Sequence, residues 1–468
     1  MEDHYDIIIV GAGVAGLSTA LSCVEQLVEA GEEDVTLAVL ERSTRDMRGG
    51  SSRWTGAYLR MADSGNVSEN FVEDMMAFSE GYSDEAVVRR LAEEAPRALA
   101  WLAQQGVAFE HLPTIFLTAA RPRLLPVGGG KAVVERLADK VESYGVEILY
   151  ETAFQGLRFA NGELTGVDVG TPQGPRTIGA RAVVLAAGGF EGNPEMLARY
   201  FPHPVHRLRN ISPGGEMNKG EGIEAALRAG AKPAGEFNSF HAEPIDPRSR
   251  MPEAVVMLFP YGILVNTLGE RFVDEGEDTI DETYERISRT FLTQPGQTAY
   301  CICDQRVFEI PNYHHAIGTD QEPVTAATAG ELAAKLHLPP AALEATIASY
   351  NAASAHNAQA EFQPLRKDGN AAAGVTPGKS NWALPLTKPP YVAWPLRCSI
   401  VFTYGGIAAD TESRVLDRDE RPIPGLYAAG EITGLYYGKY PGATSFLRGI
   451  VYGRIAGRGA AEYVRTRV

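Results

Sequence analysis

The sequence has few cysteines and no long run of apolar residues. Among its 468 residues there are four cysteines, which are Cys23, Cys301, Cys303 and Cys398. This number is too small for a disulfide framework. No segment reaches the length of uninterrupted apolar sequence that a membrane-spanning helix needs. These absences exclude a disulfide-stapled secreted scaffold. They predict a cytoplasmic protein with neither a transmembrane nor a targeting segment.

Positive charge is also scarce. Lysine and arginine total 43 against 59 aspartate and glutamate residues, so the formal net charge is −16. Because an acidic chain repels the phosphate backbone of nucleic acids, we expect no nucleic-acid partner. Hydrophobic residues make up 44% of the chain and charged residues 22%. These values are typical of a folded globular protein and exclude a disordered one.

The cysteine spacing offers little to a metal ion. Cys301 and Cys303 alternate as residues of a strand do, so their side chains are expected on one side of it. A metal site would need two further ligands close by, and the sequence gives no pattern for them. We therefore predict no metal site.

The first forty residues have the pattern of one strand–helix–strand unit. An apolar strand over residues 5–10 leads into a GxGxxG turn at residues 11–16, and a helical pattern follows until Gly31. A second strand ends at Glu41. In this context the glycines allow close approach of a pyrophosphate, and the carboxylate accepts hydrogen bonds from a ribose. The unit predicts a dinucleotide site; a doubly wound sheet without a nucleotide is the alternative.

Other segments favour FAD over NAD as the dinucleotide. The loop at residues 48–57 is rich in glycine and hydroxyl groups, and a second glycine turn at Gly430 precedes a helix that starts near Ser445. The N-terminus of that helix can stabilise negative charge on a reduced flavin ring. No second GxGxxG with its own strand and helix is present. We therefore predict no separate NAD(P)H domain.

The chain divides into a Rossmann-like part and an insertion. Residues 146–186 predict a β-meander, residues 239–375 hold proline-rich turns and helical runs, and residues 366–379 have the composition of a linker. The glycine and strand pattern then resumes. We predict an α/β fold with a discontinuous, Rossmann-like FAD-binding domain at residues 1–238 and 376–468. An α+β capping domain at residues 239–375 is inserted into it.

Several short motifs occur in one order along the chain. They are the GxGxxG turn, Glu41, the 49–52 loop, and the segments 184–190, 269–275, 425–431 and 453–457. Together they resemble the fumarate reductase/succinate dehydrogenase flavoprotein family, of the FAD-binding domain 2 type, over essentially the whole chain. Residues 48–56, 402–406 and 440–444 look most like the tricarballylate dehydrogenase branch. The resemblance implies an FAD domain, a mobile cap, and a substrate held between them.

The resemblance also implies which residues hold the cofactor. No histidine precedes the 51–52 loop in the manner of the covalent enzymes, so we expect FAD to be bound non-covalently. By resemblance, the cofactor-binding residues are Gly11, Gly13, Ala15, Gly16, Glu41, Arg42, Ser51, Ser52, Thr55, Gly56, Ala153, Ala187, Gly188, Gly430, Glu431, Ser445 and Leu447.

The substrate side departs from the fumarate reductase pattern. His241 matches a family histidine at the edge of the cap, where it would orient the substrate. The region of a second family histidine contains Thr403 instead, and Tyr440 stands near the place of an arginine that clamps a substrate carboxylate. Tyr284 and Arg286 are the nearest candidates for the residue of the cap that handles the proton. These five residues are the predicted catalytic set.

The resemblance implies an FAD-dependent oxidoreductase that dehydrogenates a CH–CH bond next to a carboxylate or carbonyl, with hydride passing to flavin N5. A tricarballylate-like acid is the first candidate substrate. Because no NAD(P)H domain, haem motif or iron–sulfur cysteine set is present, we expect a separate electron-transfer protein as partner. Three alternatives stay open: a fumarate- or enoate-type reductase, an enone (ketosteroid-type) reductase or dehydrogenase, and a flavin-binding protein without turnover.

Overall fold

The computed structural model describes residues 2–32, 34–62, 65–111, 123–205, 207–364 and 366–466. Helices and strands alternate through these ranges. The α-helices are α1 Val14–Ala30, α2 Phe71–Phe78, α3 Glu85–Gln104, α4 Gly129–Ser143, α5 Pro194–Tyr200, α6 Glu221–Arg228, α7 Ile280–Thr290, α8 Ala329–Leu336, α9 Pro340–Ser354 and α10 Ser445–Arg465.

A six-stranded sheet forms the core of the Rossmann-like part. Its strands lie in the order Arg414–Leu416, Pro422–Ala428, Ala182–Leu185, Ile7–Val10, Leu37–Leu40 and Glu147–Leu149. Neighbouring strands are parallel except for the antiparallel edge pair 414–416 and 422–428. Because the carboxyl ends of parallel strands meet at one edge, the glycine turns after residues 10, 185 and 428 are neighbours there.

Helices α1 and α10 lie against this sheet, and α4 packs on α1. Gly31 ends α1 in the left-handed conformation, with φ +72°, and its N–H donates to the last carbonyls of the helix. The end of α1 is therefore where the sequence predicts it. The helix begins at Val14, so its N-terminal N–H groups follow directly from the GxGxxG turn.

The segment predicted as one meander is split between two sheets. The antiparallel meander consists of Ala153–Ala160, Glu163–Thr171 and Gly174–Gly179. Residues 147–149 and 182–185 instead join the parallel sheet. Residues 182–185 are buried on both faces, which is why they are uniformly apolar rather than alternating.

A second sheet is organised by one long strand, Tyr391–Thr403. Around it lie the strands Arg209–Asn210, Phe240–Ile245, Ile263–Asn266, Ala299–Asp304 and Val324–Ala326. The long strand pairs directly with all of these except 263–266, which pairs with 299–304. It therefore runs through the sheet of the predicted cap, although the sequence division places it in the FAD-binding domain. The boundaries at residues 238 and 375 stay predictions.

Residues 366–379 pack against residues 262–275 and do not form a free linker. The Arg271 guanidinium donates to the carbonyl of Pro377 (2.7 Å) and to both oxygens of the Glu275 carboxylate (3.0 and 2.6 Å). Lys379 is buried and donates to the carbonyl of residue 262. The linker interpretation is wrong because Arg271 bonds to this segment and the buried Lys379 belongs to it. The amino-acid composition of the segment does not reveal these contacts.

The described part of the chain gives no sign of a membrane or metal role. None of its helices is long and apolar enough to cross a bilayer. The four cysteines are free and buried, and the sulfurs of Cys301 and Cys303 lie 3.9 Å apart. Within the described ranges, no group of three or more His, Cys, Asp or Glu side chains is placed to hold a metal ion.

Candidate active site

A cavity lies at the carboxyl edge of the parallel sheet, where the glycine turns meet. Its walls come from the turn after strand 7–10, the 49–55 loop, the turn after strand 182–185, and the first turn of α10. Thirteen predicted cofactor residues line it, namely Gly11, Gly13, Ala15, Glu41, Arg42, Ser51, Ser52, Thr55, Ala187, Gly188, Gly430, Glu431 and Ser445.

The other four predicted cofactor residues lie directly behind or beside this lining. Gly16 packs under the turn, where a methyl group would fall 1.8 Å from the carbonyl oxygen of residue 11. Ala153 lies between Thr152 and Phe154, which do line the cavity. Gly56 follows the lining residue 55, and Leu447 is buried in the first turn of α10.

The cavity has the donor groups and the space that a dinucleotide pyrophosphate requires. Gly11 has φ +105°, and a methyl group there would lie 2.5 Å from the carbonyl oxygen of Ala186. At the N-terminus of α1 the Ser52 hydroxyl accepts a hydrogen bond from the N–H of Val14 (3.2 Å), and the first turn carries no acidic residue. Glu41 is 5% exposed and accepts hydrogen bonds from backbone N–H groups of Ala12 (3.1 Å) and Ser43 (2.8 Å). These residues fit FAD.

Gly11→Ala is expected to destabilise the protein by about 2–3 kcal/mol and to weaken FAD binding, because it adds left-handed strain to a backbone clash. Chemical unfolding and FAD fluorescence titration measure the two effects. Gly156→Ala is the matched control, since that glycine has ordinary φ and open space at its Cβ. Equal effects of the two substitutions would contradict a close-packed dinucleotide turn.

The start of α10 lies beside this cavity, and the helix begins at Ser445 as the sequence predicts. The hydroxyl oxygen of Tyr440 accepts hydrogen bonds from the N–H groups of Thr444 and Ser445, both at 3.0 Å. It also lies 2.9 Å from the Ser445 hydroxyl. The next two N–H groups, of Phe446 and Leu447, make no hydrogen bond to any described residue. They are free for a bound cofactor.

His241 lies at the centre of a cluster of aromatic side chains. It is 4% exposed and lies on strand 240–245. Ring centroids of Tyr440, Phe402 and Tyr284 lie 4.5, 5.1 and 5.7 Å from the imidazole. The structure therefore brings together three of the five predicted catalytic residues. Phe402 also lines the cofactor cavity, so this cluster and the cavity are adjacent.

The imidazole of His241 lies between two carboxylates. Its Nε2 is 3.5 Å from Glu243 Oε1, and its Nδ1 is 3.5 Å from Glu285 Oε2. Burial lowers the pKa of His241, but the two carboxylates outweigh burial, so the pKa lies above its ordinary value. The arrangement favours the imidazolium form.

Glu285 connects this cluster to the start of α10. One carboxylate oxygen accepts a hydrogen bond from the Tyr404 hydroxyl (2.6 Å) and pairs with Arg289, and the other accepts from the N–H of Tyr440 (3.1 Å). Burial raises the pKa of Glu285, but the contacts with His241 and Arg289 outweigh it and hold the pKa below its ordinary value. Glu285 is therefore an ionised, fully engaged anchor.

Tyr284 and Arg286 lie on different sides of α7. Tyr284 is half-buried beside His241, and its hydroxyl makes no hydrogen bond to a described residue. Burial, followed by the charges of nearby carboxylates, raises the pKa of Tyr284 well above its ordinary value. Arg286 is 43% exposed and pairs with Glu277. The structure does not bring Arg286 to the cluster, because two residues along a helix turn a side chain by roughly 200°.

Arg289, which the sequence analysis omits, is the arginine that faces the cluster. It donates to the carbonyl oxygen of Phe240 (2.5 and 3.1 Å) and pairs with Glu285. The four-residue spacing from Glu285 to Arg289 is the signal that would have identified it. Its guanidinium is committed to protein acceptors.

Thr403 lies next to the cofactor cavity and bonds to Glu431, which lines it. Its N–H and hydroxyl both bond to Glu431 Oε1, at 2.9 and 3.2 Å, and its hydroxyl oxygen accepts from the N–H of Phe190 (3.2 Å). The predicted catalytic assignment is thus not supported by its surroundings. These hydrogen bonds from Thr403 hold the Glu431 carboxylate in place.

Glu253 adds a further carboxyl group between the second sheet and the 49–55 loop. It is half-buried and has φ +53°, which is uncommon for a side chain of this kind. Burial, and then the charge of Glu243, raise the pKa of Glu253 from 4.5 to about 8, although Thr55 and Gly56 donate hydrogen bonds to it. The folded protein therefore holds this proton more tightly than the unfolded chain.

The sign of this shift predicts that stability falls as pH rises from about 5 to 9, because only the folded state keeps the proton in that window. Glu253→Gln removes this dependence and is expected to stabilise the protein at pH 9 by on the order of 1–2 kcal/mol relative to wild type. Thermal unfolding at pH 5, 7 and 9 measures it, with the exposed Glu216→Gln as control. Parallel pH profiles for all three proteins would refute the prediction.

Comparison with known proteins identifies the family. A family model described as an FAD binding domain, FAD-binding domain 2, matches residues 6–447. The chain belongs to this FAD-binding family. The match confirms the predicted family, and it includes residues from both the Rossmann-like part and the insertion.

Individual relatives agree with this assignment. The chain is 28% identical to a vinyl phenol reductase of Lactiplantibacillus plantarum, over 99% of this chain and 97% of that protein. It is 24% identical to an NADH:fumarate oxidoreductase of Klebsiella pneumoniae over 98% of this chain, but it spans only 48% of that protein.

Solved structures extend the comparison to the fold. An open flavocytochrome c3 fumarate reductase superposes with a TM-score of 0.79 at 25% identity, covering 99% of this chain and 79% of that one. A 3-ketosteroid-Δ4-(5α)-dehydrogenase of Rhodococcus jostii in complex with 4-androstene-3,17-dione superposes with a TM-score of 0.72 at 26% identity, covering 98% and 97%. The predicted fold class is confirmed. So is the enzyme class, an FAD-dependent oxidoreductase acting on CH–CH bonds.

Proposed function

We propose that this enzyme reduces a carbon–carbon double bond in an uncharged substrate, where the bond is conjugated to a carbonyl group or a phenol ring. The observation that carries the proposal is that the described cations beside His241 already have carboxylate partners. Glu243 and Glu285 lie on either side of the His241 imidazole, and Glu285 also pairs with Arg289. Glu253, with its raised pKa, adds a neutral carboxyl group, so among the described residues the cleft offers an anionic substrate no unpaired positive charge. A fumarate-like or tricarballylate-like acid is therefore the less favoured substrate.

The arginines near the cleft support the same conclusion. Arg289 pairs with Glu285, and Arg123 lies 3.4 Å from Asp281. A clamp for a substrate carboxylate requires a guanidinium whose donors are available. Both of these guanidinium groups already have a carboxylate partner, whereas the aromatic rings around His241 offer a mainly apolar surface.

Tyr440 is the group we assign to the substrate oxygen. Because its hydroxyl oxygen accepts two backbone N–H groups at the start of α10, its own O–H is polarised and becomes a stronger donor. In the structure the Ser445 hydroxyl lies 2.9 Å from the Tyr440 oxygen, and we propose that the O–H turns from Ser445 to the substrate oxygen. Donation to a substrate carbonyl oxygen stabilises the negative charge that develops there as hydride adds to the conjugated carbon. The role is that of a fixed, desolvated donor, since Tyr440 is 9% exposed.

Tyr284 is the group we assign to the proton. Its hydroxyl has no hydrogen-bond partner among the described residues, and its raised pKa keeps it protonated at neutral pH. A protonated group can deliver a proton to a substrate carbon, which suits the reductive direction. His241, held between Glu243 and Glu285, orients the Tyr284 and Tyr440 rings.

FAD, when bound, would supply the hydride. The residues that line the cavity would hold it, and the free N–H groups of Phe446 and Leu447 would face its negative charge.

We propose that FAD is bound non-covalently. Acid precipitation is then expected to leave the yellow chromophore in the supernatant. A coloured pellet would contradict non-covalent binding.

We further propose that the protein is cytoplasmic and receives electrons from a separate electron-transfer protein.

The opposite direction is the second candidate, and one observation favours it. The ketosteroid dehydrogenase structure matches 98% of this chain at 26% identity and holds an uncharged enone. The same hydroxyl groups would then bind a ketone and remove a proton. The raised pKa of Tyr284 disfavours this direction near neutral pH.

Anaerobic spectroscopy tests the function and its direction together. Reduced protein mixed with 4-vinylphenol or cyclohexenone is expected to regain the oxidised flavin spectrum, with ethylphenol or cyclohexanone as product. Oxidised protein mixed with those saturated compounds is expected to stay yellow. Bleaching by a saturated ketone would assign the dehydrogenase direction. Failure of every neutral acceptor while fumarate or an unsaturated tricarboxylate reoxidises the flavin would overturn the proposal.

A further inference from the structure

Two glutamates meet at the wall of the cofactor cavity. Glu191 is 1% exposed and follows the glycine turn after strand 182–185, while Glu431 lines the cavity itself. The amide nitrogen of Asn218 donates to Glu191 Oε1 (2.6 Å) and lies 3.4 Å from Glu431 Oε2. The hydroxyl of Ser51 also donates to Glu191 Oε1 (3.1 Å). The two carboxyl groups therefore share the Asn218 amide as a donor.

The two carboxyl groups are unequally satisfied. Glu431 Oε1 accepts the N–H and hydroxyl of Thr403. In contrast, Glu191 Oε2 is buried and has no hydrogen-bond partner among the described residues. An ionised carboxylate in that position would be strongly disfavoured, because its charge is removed from water without a donor. A proton on Glu191 removes the charge and gives this oxygen an O–H to donate.

The charges around the pair point to the same protonation state. Burial raises the pKa of Glu431, and its hydrogen bonds and the buried Arg448 guanidinium oppose this rise without cancelling it. Lys219 donates to the carbonyl oxygen of residue 192 (2.6 Å), and Glu216 on the adjacent turn is exposed. Burial, and then the Glu431 carboxylate, raise the pKa of Glu191 well above its ordinary value. Glu431 thus has donors for its carboxylate, whereas Glu191 has an unpartnered buried oxygen and the larger rise in pKa, so Glu191 is the member of the pair that keeps the proton.

We propose that Glu191 is a positioning residue that is present as the neutral acid and holds Asn218 and Glu431 in place for FAD. FAD carries a negatively charged pyrophosphate, so a further ionised group beside the cavity would oppose its binding. A neutral carboxylic acid supplies the hydrogen bonds without the charge. The hydride and proton steps do not involve Glu191.

Infrared spectroscopy of the FAD-bound protein tests the protonation state directly. In a Glu253→Gln background, which removes the other carboxyl group expected to be protonated at pH 7.5, the protein is expected to show the carbonyl-stretch band of a buried protonated carboxyl group, and adding Glu191→Gln is expected to remove that band. Glu216→Gln is the control and is expected to keep it. Absence of a protonated-carboxyl band that Glu191→Gln removes would overturn the proposal, whether or not the variants turn over substrate.

FAD titration of the apoprotein tests the consequence for binding. Glu191→Gln keeps a neutral group with hydrogen-bonding capacity, so its dissociation constant for FAD is expected within about threefold of wild type. Glu191→Leu removes the nearest acceptor of the Asn218 amide, the Glu191 oxygen at 2.6 Å, and is expected to weaken FAD binding by about tenfold or more. A tenfold loss in Glu191→Gln would show that the negative charge is needed and would also overturn the proposal.

Discussion

Tyr440→Phe is expected to lower kcat by about 10²–10³-fold without changing the FAD content of the protein. The substitution removes one hydroxyl, and with it the only O–H donor that the account assigns to the substrate oxygen. The ring and its packing against His241 remain. Single-turnover reoxidation of the reduced protein by a neutral conjugated acceptor measures the loss at the chemical step.

Tyr436→Phe is the matched control for this prediction. Its hydroxyl lies in the same aromatic cluster, but it bonds to the Thr444 hydroxyl (2.9 Å) and not to the N-terminus of α10. We expect less than about a fivefold change in kcat, since a buried neutral hydrogen bond contributes on the order of 1 kcal/mol. If the two substitutions have equal effects on kcat, Tyr440 has a packing role only.

Tyr284→Phe is expected to lower kcat by about 10²–10⁴-fold, whereas Arg286→Ala is expected to stay within about twofold of wild type. The first substitution removes the proposed proton donor. The second removes an exposed side chain whose partner is Glu277. The two residues are neighbours in sequence on one helix, so the pair separates a chemical effect from a disturbance of α7.

The solvent isotope effect on the reaction rate distinguishes a chemical role of Tyr284 from a packing role, because a change in packing alone is not expected to alter it. Wild type is expected to react more slowly in D₂O, because proton transfer to carbon contributes to the barrier. The residual activity of Tyr284→Phe is expected to show a changed effect, since water or another group must then supply the proton. Normal activity of Tyr284→Phe together with a large loss in Arg286→Ala would reverse the assignment.

The dinucleotide half of the site follows closely from the sequence. The GxGxxG turn and the start of α10 are local patterns set by contacts within a few residues, and Glu41 bonds back to the N–H of Ala12 in that turn. Parallel strands then bring their carboxyl ends to one edge. This is why residues more than 400 positions apart, such as Gly11 and Ser445, could be assigned to one cavity before its structure was known.

The substrate half depends on contacts that sequence spacing does not reveal. His241, Tyr284 and Tyr440 come from a strand, a helix and a loop, and Glu285 joins them through both of its oxygens. Within α7, helical periodicity alone could have decided between residues 284 and 286. The apolar positions Ile280 and Ile287 are buried, and Tyr284 lies on their side of the helix.

Thr403 shows a different limit of sequence reasoning. It lies where the family pattern places a substrate-binding residue, at the end of the long strand 391–403. A hydroxyl at that position is equally able to face the substrate or the cofactor. Its two bonds to Glu431 decide the matter, and the importance of Glu191 also becomes visible only when that network is seen.

The most direct test of the central claim is the ratio of kcat/KM for a neutral and an anionic acceptor in one preparation of the enzyme. We would measure 4-vinylphenol against fumarate, anaerobically and at pH 7, with the same electron donor. We expect a ratio of at least about 100 in favour of 4-vinylphenol, because the described arginines beside the cleft and His241 are already paired with carboxylates. A ratio near one, or a preference for fumarate, would contradict it.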